Sequence, residues 1–112
     1  FERALRARAH EIFAPRMADF CTRFGIAPPL LRLTSARTRW GSCSRQSGVR
    51  LNWRLVHAPV DLIDYVIAHE LAHLKEMNHT TRFWSEVERL YPDWQGARQR
   101  LRAFGDHLPR FG

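Results

Sequence analysis

The sequence has 112 residues, of which 45% are hydrophobic and 26% are charged. These values are typical of one globular domain with a modest core, and they exclude a wholly disordered chain. The formal net charge is +7, and Lys75 is the only lysine among the 18 basic residues. A positive balance permits acidic or nucleic-acid partners, but a solvated basic surface is the preferred explanation.

The N-terminus, the apolar stretches and the cysteines together predict a cytoplasmic protein. The first ten residues contain arginines and no apolar block, so we expect no secretory signal. The longest apolar stretch, 62–74, is too short to span a bilayer and contains charges, so we expect no membrane span. Cys21 and Cys43 fit neither a zinc motif nor a disulfide framework, which indicates free thiols in a reducing compartment.

The N-terminal segment 2–24 is predicted to be helical because its apolar residues recur at helical spacing. We expect Pro15 to kink this helix or split it, and Gly25 to end it. The segments 31–35 and 49–55 alternate apolar and polar residues and are predicted to be strands. A polar connection between them predicts an antiparallel hairpin over about 30–55, with Asn52 on its polar face.

Three further helices are predicted in the second half of the chain. The first spans about 61–77, with Asp61 as its N-cap and Asn78 supplying a left-handed terminus. The second begins at a cap formed by Thr80 or Thr81 and stops at Pro92. The third covers about 93–104. The fold class is therefore α+β: a single domain over 1–112 with its core at about 30–105.

The stretch 69–73 has the pattern H-E-x-x-H inside the predicted 61–77 helix. Residues four apart lie on one helix face, so His69 and His73 can bind one zinc ion. Glu70 follows the first ligand and can act as the base that accepts a proton from the attacking water. Three imidazoles also suit Ni²⁺ or Co²⁺, so these ions are expected substitutes for the one Zn²⁺ per chain.

A catalytic zinc ion needs a third protein ligand, and His79 is the preferred one. It lies six residues beyond His73, the spacing of the metzincin pattern, although Glu76 occupies the position of the metzincin glycine. Glu76 and Glu86 remain alternative ligands. The histidines that lack ligand spacing are His10, His57 and His107.

Two residues are predicted to contact substrate or the oxyanion that forms during hydrolysis. Tyr65 lies one helical turn before His69 on the same face, and Asn52 lies on the polar face of the second strand. Either side chain can donate a hydrogen bond to a developing negative charge.

The sequence resembles the YgjP-like metal-dependent hydrolases, which are zincins related to SprT-type proteases. The resemblance depends on three blocks over about 37–95: R-W-G-S-C at 39–43, L-N-W at 51–53 with Pro59 and I-D-Y at 63–65, and H-E-L-A-H at 69–73 with N-H at 78–79 and F-W at 83–84. It implies a zincin-like fold, a small antiparallel sheet beside an active-site helix, with His69, His73 and His79 as ligands and Glu70 as base. It also implies an additional N-terminal region, so we expect this chain to be a catalytic core or a fragment.

Zincin chemistry makes a zinc metallopeptidase acting on peptides or proteins the preferred function. The alternative is a nucleic-acid-associated protein, because SprT-type relatives act on DNA-bound proteins. The arginines expected to form a basic surface for it are Arg32, Arg50, Arg54, Arg98, Arg100 and Arg102.

Overall fold

The structure is a computed structural model that describes residues 1–105. His107, for which no ligand role is predicted, lies outside the described residues. The elements in chain order are α1 (Glu2–Phe24), β1 (Leu31–Thr34), β2 (Gly41–Ser44), β3 (Gly48–Asn52), a 3-10 helix (Trp53–His57), α2 (Val60–Ala72), α3 (Thr81–Leu90) and α4 (Trp94–Phe104). The predicted α+β class is confirmed.

Helix α1 runs without a break through Pro15 and ends at Gly25, whose φ of 66° is left-handed. The predicted split at Pro15 is therefore wrong. A proline in a helix removes one backbone hydrogen bond. Here α1 buries Phe13, Met17 and Phe20 against the rest of the chain, and this packing keeps the helix continuous.

The sheet has three strands in the order β1-β3-β2 and is mixed. Strand β1 pairs with β3 in parallel, and β2 pairs with β3 in antiparallel orientation. The predicted antiparallel pairing of 31–35 with 49–55 is thus wrong. The hairpin partner is β2, from within the predicted polar connection, and the φ of 81° at Gly48 completes the turn between β2 and β3. Strand β2 lies at one edge of the sheet.

Strand β3 ends at Asn52, three residues before its predicted end, because the Asn52 side chain starts a 3-10 helix. Its Oδ1 accepts a hydrogen bond from the Arg54 backbone N–H at 3.0 Å. Its Nδ2 donates to the backbone oxygens of Ala36 at 2.7 Å and Arg39 at 3.1 Å. Asn52 is fully buried rather than on an exposed polar face. These bonds fix the segment that leads from β1 into β2.

Helix α2 lies at the centre of the molecule and packs against α1, α3, α4, β2 and β3. It begins after Pro59, whose carbonyl accepts from the Leu62 and Ile63 N–H groups, so the predicted Asp61 cap is wrong. It ends at Ala72 rather than near residue 77. Beyond that point the chain continues in tighter turns, with Leu74 N–H donating to the Leu71 oxygen.

Side-chain interactions fix the helices around α2. Arg16 on α1 makes a bidentate ion pair with Asp64 on α2, with N···O distances of 2.8 and 2.6 Å. The Thr80 hydroxyl caps α3 by accepting from the Phe83 N–H at 3.3 Å, as predicted. Within residues 1–105, no helix combines the length and apolar character needed to cross a membrane.

Candidate metal centre

Three histidine rings converge at one end of α2. The ring centroids are 5.3 Å apart for His69 and His73, 5.5 Å for His69 and His79, and 4.8 Å for His73 and His79. One ligand nitrogen from each ring lies within 4.8 Å of the other two. Nitrogens bound to one tetrahedral zinc ion at 2.0–2.1 Å would be about 3.4 Å apart. Small rotations of the imidazoles would therefore place all three on one metal ion.

The backbone brings the third histidine back toward α2 without a left-handed residue. His73 is the C-cap of α2 and Thr80 is the N-cap of α3, so only six residues separate the two helix ends. No residue other than glycine has a positive φ within residues 1–105. The predicted left-handed conformation of Asn78 is therefore wrong. Glu76 can occupy the position of the metzincin glycine because this turn does not require one.

Phe83 forms the floor beneath all three rings, a role that sequence reasoning did not assign. Its ring centroid lies 4.9 Å from His69, 4.4 Å from His73 and 4.9 Å from His79. Phe83 is fully buried in the first turn of α3. Because it restricts all three imidazoles at once, it couples the position of α3 to the geometry of the metal centre. The adjacent Thr80 cap and an F-W pair are the sequence signals that could have indicated it.

His73 is oriented so that one particular nitrogen faces the centre. Its Nδ1 lies 3.1 Å from the Glu76 carbonyl oxygen, which can only accept a hydrogen bond, so Nδ1 carries the proton. Nε2 is then the unprotonated atom, and it is buried without a hydrogen-bond partner in the described part of the chain. An N–H donated to a carbonyl oxygen is the usual outer contact of a metal-binding histidine. Glu76 thus contacts a histidine through its backbone.

Glu70 is fully buried beside the histidines, under the edge strand β2. A Cβ atom added to Gly41 would lie 3.0 Å from the Glu70 Oε2 and 3.1 Å from its Cγ. A side chain at this position would displace the carboxylate by a few tenths of an ångström, so the glycine at the start of β2 leaves room for it. Both carboxylate oxygens lack a hydrogen-bond partner among residues 1–105, which leaves them able to bind a water or a substrate proton.

Burial disfavours the charged form of the acidic groups around Glu70. Desolvation raises the pKa of Glu70 well above its ordinary value, and the positive charge of Arg39 lowers it in part. Desolvation also raises the pKa of the Cys43 thiol on β2 to about 11, with the Glu70 charge adding to the effect. A cation placed between the histidines would favour the carboxylate form of Glu70.

The two residues predicted to contact substrate occupy different environments. Tyr65 lies one turn before His69, with ring centroids 6.0 Å apart, and it is fully buried. Burial raises the pKa of its phenol, so the hydroxyl keeps its proton. The Asn52 side-chain amide is hydrogen-bonded to the backbone of Ala36, Arg39 and Arg54. Of the two, Tyr65 lies in direct ring contact with a histidine of the centre.

The alternative ligand Glu86 forms ion pairs with two basic side chains. Its carboxylate pairs with Arg89 at 2.7 Å and with Lys75 at 3.8 Å. Within residues 1–105, the histidines His69, His73 and His79 form the group whose geometry suits a metal ion, and neither Glu76 nor Glu86 joins it.

Two stacked tryptophans form an aromatic wall beside the histidines. The Trp84 ring centroid lies 5.7 Å from His69 and 6.2 Å from His79, and Trp94 of α4 stacks on it at 4.6 Å. The Arg98 guanidinium also contacts Trp84, 5.1 Å from its ring centroid. Trp84 and Trp94 line a surface groove of about 510 Å³ between α3 and α4. Both tryptophans are only partly buried.

Comparison with known proteins agrees with this geometry. The family model described as YgjP-like, metallopeptidase domain, matches residues 1–104. The chain belongs to the YgjP-like family. A YgjP-like protein with this centre is a metallopeptidase, an enzyme that hydrolyses peptide bonds in peptides or proteins, which confirms the predicted family and activity. A search of curated proteins finds no match.

Two solved structures share the YgjP-like fold seen here. The metallopeptidase zymogen abylysin of Pyrococcus abyssi is 22% identical, with a TM-score of 0.66 over 99% of this chain and 98% of its own. The metallopeptidase zymogen jannalysin of Methanocaldococcus jannaschii is 20% identical, with a TM-score of 0.68 over 84% of this chain and 95% of its own. At these identities the likeness establishes the fold, which this chain shares with the two metallopeptidase zymogens.

Proposed function

We propose that this protein is a zinc peptidase in which His69, His73 and His79 bind one Zn²⁺ ion and Glu70 is the general base. The observation that carries the proposal is the set of three histidine nitrogens within 4.8 Å of one another. The buried carboxylate of Glu70 directly follows His69 on α2. A site with three protein ligands and a neighbouring base has the composition of a catalytic zinc site. Ni²⁺ or Co²⁺ would fit the same imidazoles.

Zinc, when bound, would act as a Lewis acid and lower the pKa of water toward about 7. The protein side chains supply the remaining functions. Glu70 takes the proton of the attacking water and passes it to the leaving amine, since its oxygens make no other hydrogen bond among the described residues. Phe83 restricts the three imidazoles, and the Glu76 carbonyl fixes the tautomer of His73. Tyr65 is the preferred donor to the oxyanion, ahead of Asn52.

The sheet edge beside Glu70 offers a site for an extended substrate. Strand β2 is an edge strand and carries Gly41, which contacts the Glu70 carboxylate. A peptide that pairs with the outer edge of β2 would pass close to Glu70 and to the histidines. Backbone pairing gives affinity without strict side-chain selection, which suits a peptidase.

Two further assignments are part of the proposal. We place the enzyme in the cytoplasm because both Cys21 and Cys43 are free thiols. A nucleic-acid function has less support from the arginines expected to form its surface. Arg100 pairs with Asp61 at 2.6 Å, and Arg54 and Arg98 lie over the tryptophan rings of different elements.

Hydrolysis of a fluorogenic peptide library by the zinc-loaded protein tests the proposal. We expect turnover by the wild type and a loss of about 10²–10⁴-fold in Glu70→Gln, with zinc content unchanged in the variant. The matched control is Glu11→Gln, an exposed carboxylate on α1, which should retain full activity. Full activity in Glu70→Gln would refute the assigned base.

A further inference from the structure

We propose that Arg98 is a specificity-determining residue that binds a carboxylate of the peptide substrate near the scissile bond. This inference rests on the proposed peptidase function and adds a substrate preference to it. Its basis is a cation held against an aromatic wall that is itself in contact with two of the three histidines.

The first step is the position of Arg98 relative to the metal centre. Its Cζ atom lies 5.1 Å from the Trp84 ring centroid, and that centroid lies 5.7 Å from the His69 ring. The sum of these distances, about 11 Å, is the upper limit on the separation of the guanidinium from His69, and an extended peptide spans about 3.3–3.6 Å per residue. A group held by Arg98 is thus within about three residues of the scissile bond.

The second step is the state of its hydrogen-bond donors. A guanidinium that lies over the face of an indole keeps its N–H donors available for another partner. Within residues 1–105, Arg98 makes no ion pair and no side-chain hydrogen bond, and it is partly exposed. Its neighbour Arg100 differs, because it pairs with Asp61 at 2.6 Å and with Asp93 at 3.7 Å.

The third step is the chemistry that such a donor set selects. A planar guanidinium binds a carboxylate through two parallel hydrogen bonds, and the aromatic wall fixes its orientation before the substrate arrives. The carboxylate on the same wall, Glu88, lies 3.4 Å from the Trp94 indole nitrogen and makes no ion pair with Arg98. The substrate carboxylate has two sources, an acidic side chain or the C-terminus of a short peptide, and both present the same group.

Peptide binding to the zinc-loaded Glu70→Gln variant tests the inference without turnover. Acetylated, amidated alanine hexapeptides carry one Glu or one Gln at successive positions, and an alanine hexapeptide with a free C-terminus is compared with its amide. Titration calorimetry gives the affinity ratio of each carboxylate peptide to its neutral partner. We expect a ratio of about ten at one position, or for the free C-terminus, which identifies the source.

Substitution of Arg98 then decides whether this residue is responsible. In the same Glu70→Gln background, Arg98→Gln should reduce the ratio to less than about twofold, and Arg98→Lys should leave an intermediate value. The control Arg8→Gln removes one positive charge from the exposed side of α1 and should leave the ratio unchanged. Thermal melts and zinc content check that each variant is folded, and Arg98→Lys provides the test if Arg98→Gln does not fold.

A ratio near one in the Arg98-containing protein, or a tenfold ratio that survives Arg98→Gln, overturns the inference. An equal loss in Arg8→Gln also overturns it, because the preference would then come from the net charge. Failure of the proposed function has a different result, namely no hydrolysis of any peptide by the zinc-loaded wild type.

Discussion

The proposed metal centre has a buried half on α2 and an exposed half before α3, and the two are built differently. His69 and His73 are 2% and 4% exposed and lie on a helix that is buried on most sides, whereas His79 is exposed in a loop. Packing of α2 fixes the first half, and the Thr80 cap and Phe83 position the second. The comparison indicates that packing should hold His69 and His73 in place even without metal. The exposed His79 then supplies the third proposed ligand.

The largest expected effect comes from removing one histidine of each half. His73→Ala and His79→Ala should each reduce zinc affinity by at least about 10²-fold, because each removes one of the three proposed ligands. Only His73→Ala should destabilise the metal-free protein, by about 1–2 kcal/mol, since it removes a buried ring and its hydrogen bond to Glu76. Metal titration and urea unfolding of both variants measure the two effects. Equal losses of metal-free stability would contradict the distinction.

The next prediction concerns the pH dependence of the buried half. Because the pKa of Glu70 is raised in the folded state, its contribution to stability is present below its ordinary pKa and is lost as pH rises through the higher folded value. The metal-free wild type should therefore lose stability relative to Glu70→Gln as the pH rises above the ordinary range of a Glu carboxyl, from about pH 5 upward.

Thermal melts over this pH range measure the difference. We expect Glu70→Gln to raise Tm at pH 8 by several degrees, since about 1 kcal/mol shifts Tm by about 4–8 °C in a domain of this size. The other titrating groups, including the histidines, are common to both proteins. A variant that melts below the wild type at pH 8 would show that the carboxylate is not destabilising there.

A smaller effect on catalysis is expected from the glycine that accommodates Glu70. Gly41→Ala would place a Cβ 3.0 Å from Oε2 and 3.1 Å from the Arg50 backbone oxygen, so the carboxylate must shift. We expect kcat/KM to fall by about tenfold, because displacement of a catalytic group by a fraction of an ångström is costly. Gly96→Ala is the matched control: its Cβ meets only the exposed Asp93 side chain, which can move. Similar losses of kcat/KM in both variants would show that Gly41 has no special role.

The smallest expected effect is on the chemistry of Cys43. A thiol with a pKa of about 11 is almost wholly protonated at pH 8, so iodoacetamide should modify Cys43 much more slowly than a free cysteine. Glu70→Gln should increase the rate modestly by removing a negative charge near the thiol. Mass spectrometry after timed alkylation measures both rates. Rapid modification of Cys43 in the folded wild type would contradict the burial of this side of the site.

The buried half of the centre could be predicted from the sequence because its information is local. Four-residue spacing on an apolar helix defines both His69 and His73, and Glu70 lies between them. Spacing also identified His79. The turn between His73 and His79 was predicted to need a left-handed Asn78, but Asn78 does not have a positive φ. Local patterns do not distinguish a regular helix end from tighter turns, and α2 was therefore predicted to be too long.

The features that escaped prediction depend on contacts distant in sequence. Alternation in 31–35 and 49–55 indicates strands but carries no information on direction, so the parallel pairing of β1 with β3 was missed. Asn52 was predicted to lie on a polar face. It is instead buried, and its side chain donates hydrogen bonds to the backbone oxygens of residues 36 and 39. The roles of Gly41 and Arg98 follow from contacts with Glu70 and Trp84, respectively, which the sequence does not reveal.

The most direct test of the central claim is the zinc content of the purified protein, measured by elemental analysis after zinc is supplied and excess is removed. The three-histidine site predicts one zinc ion per wild-type chain and a large loss in His69→Ala, which removes one of the three histidines that converge at the centre. A wild-type protein that retains no zinc, or a His69→Ala variant that retains a full equivalent, would contradict the proposed centre.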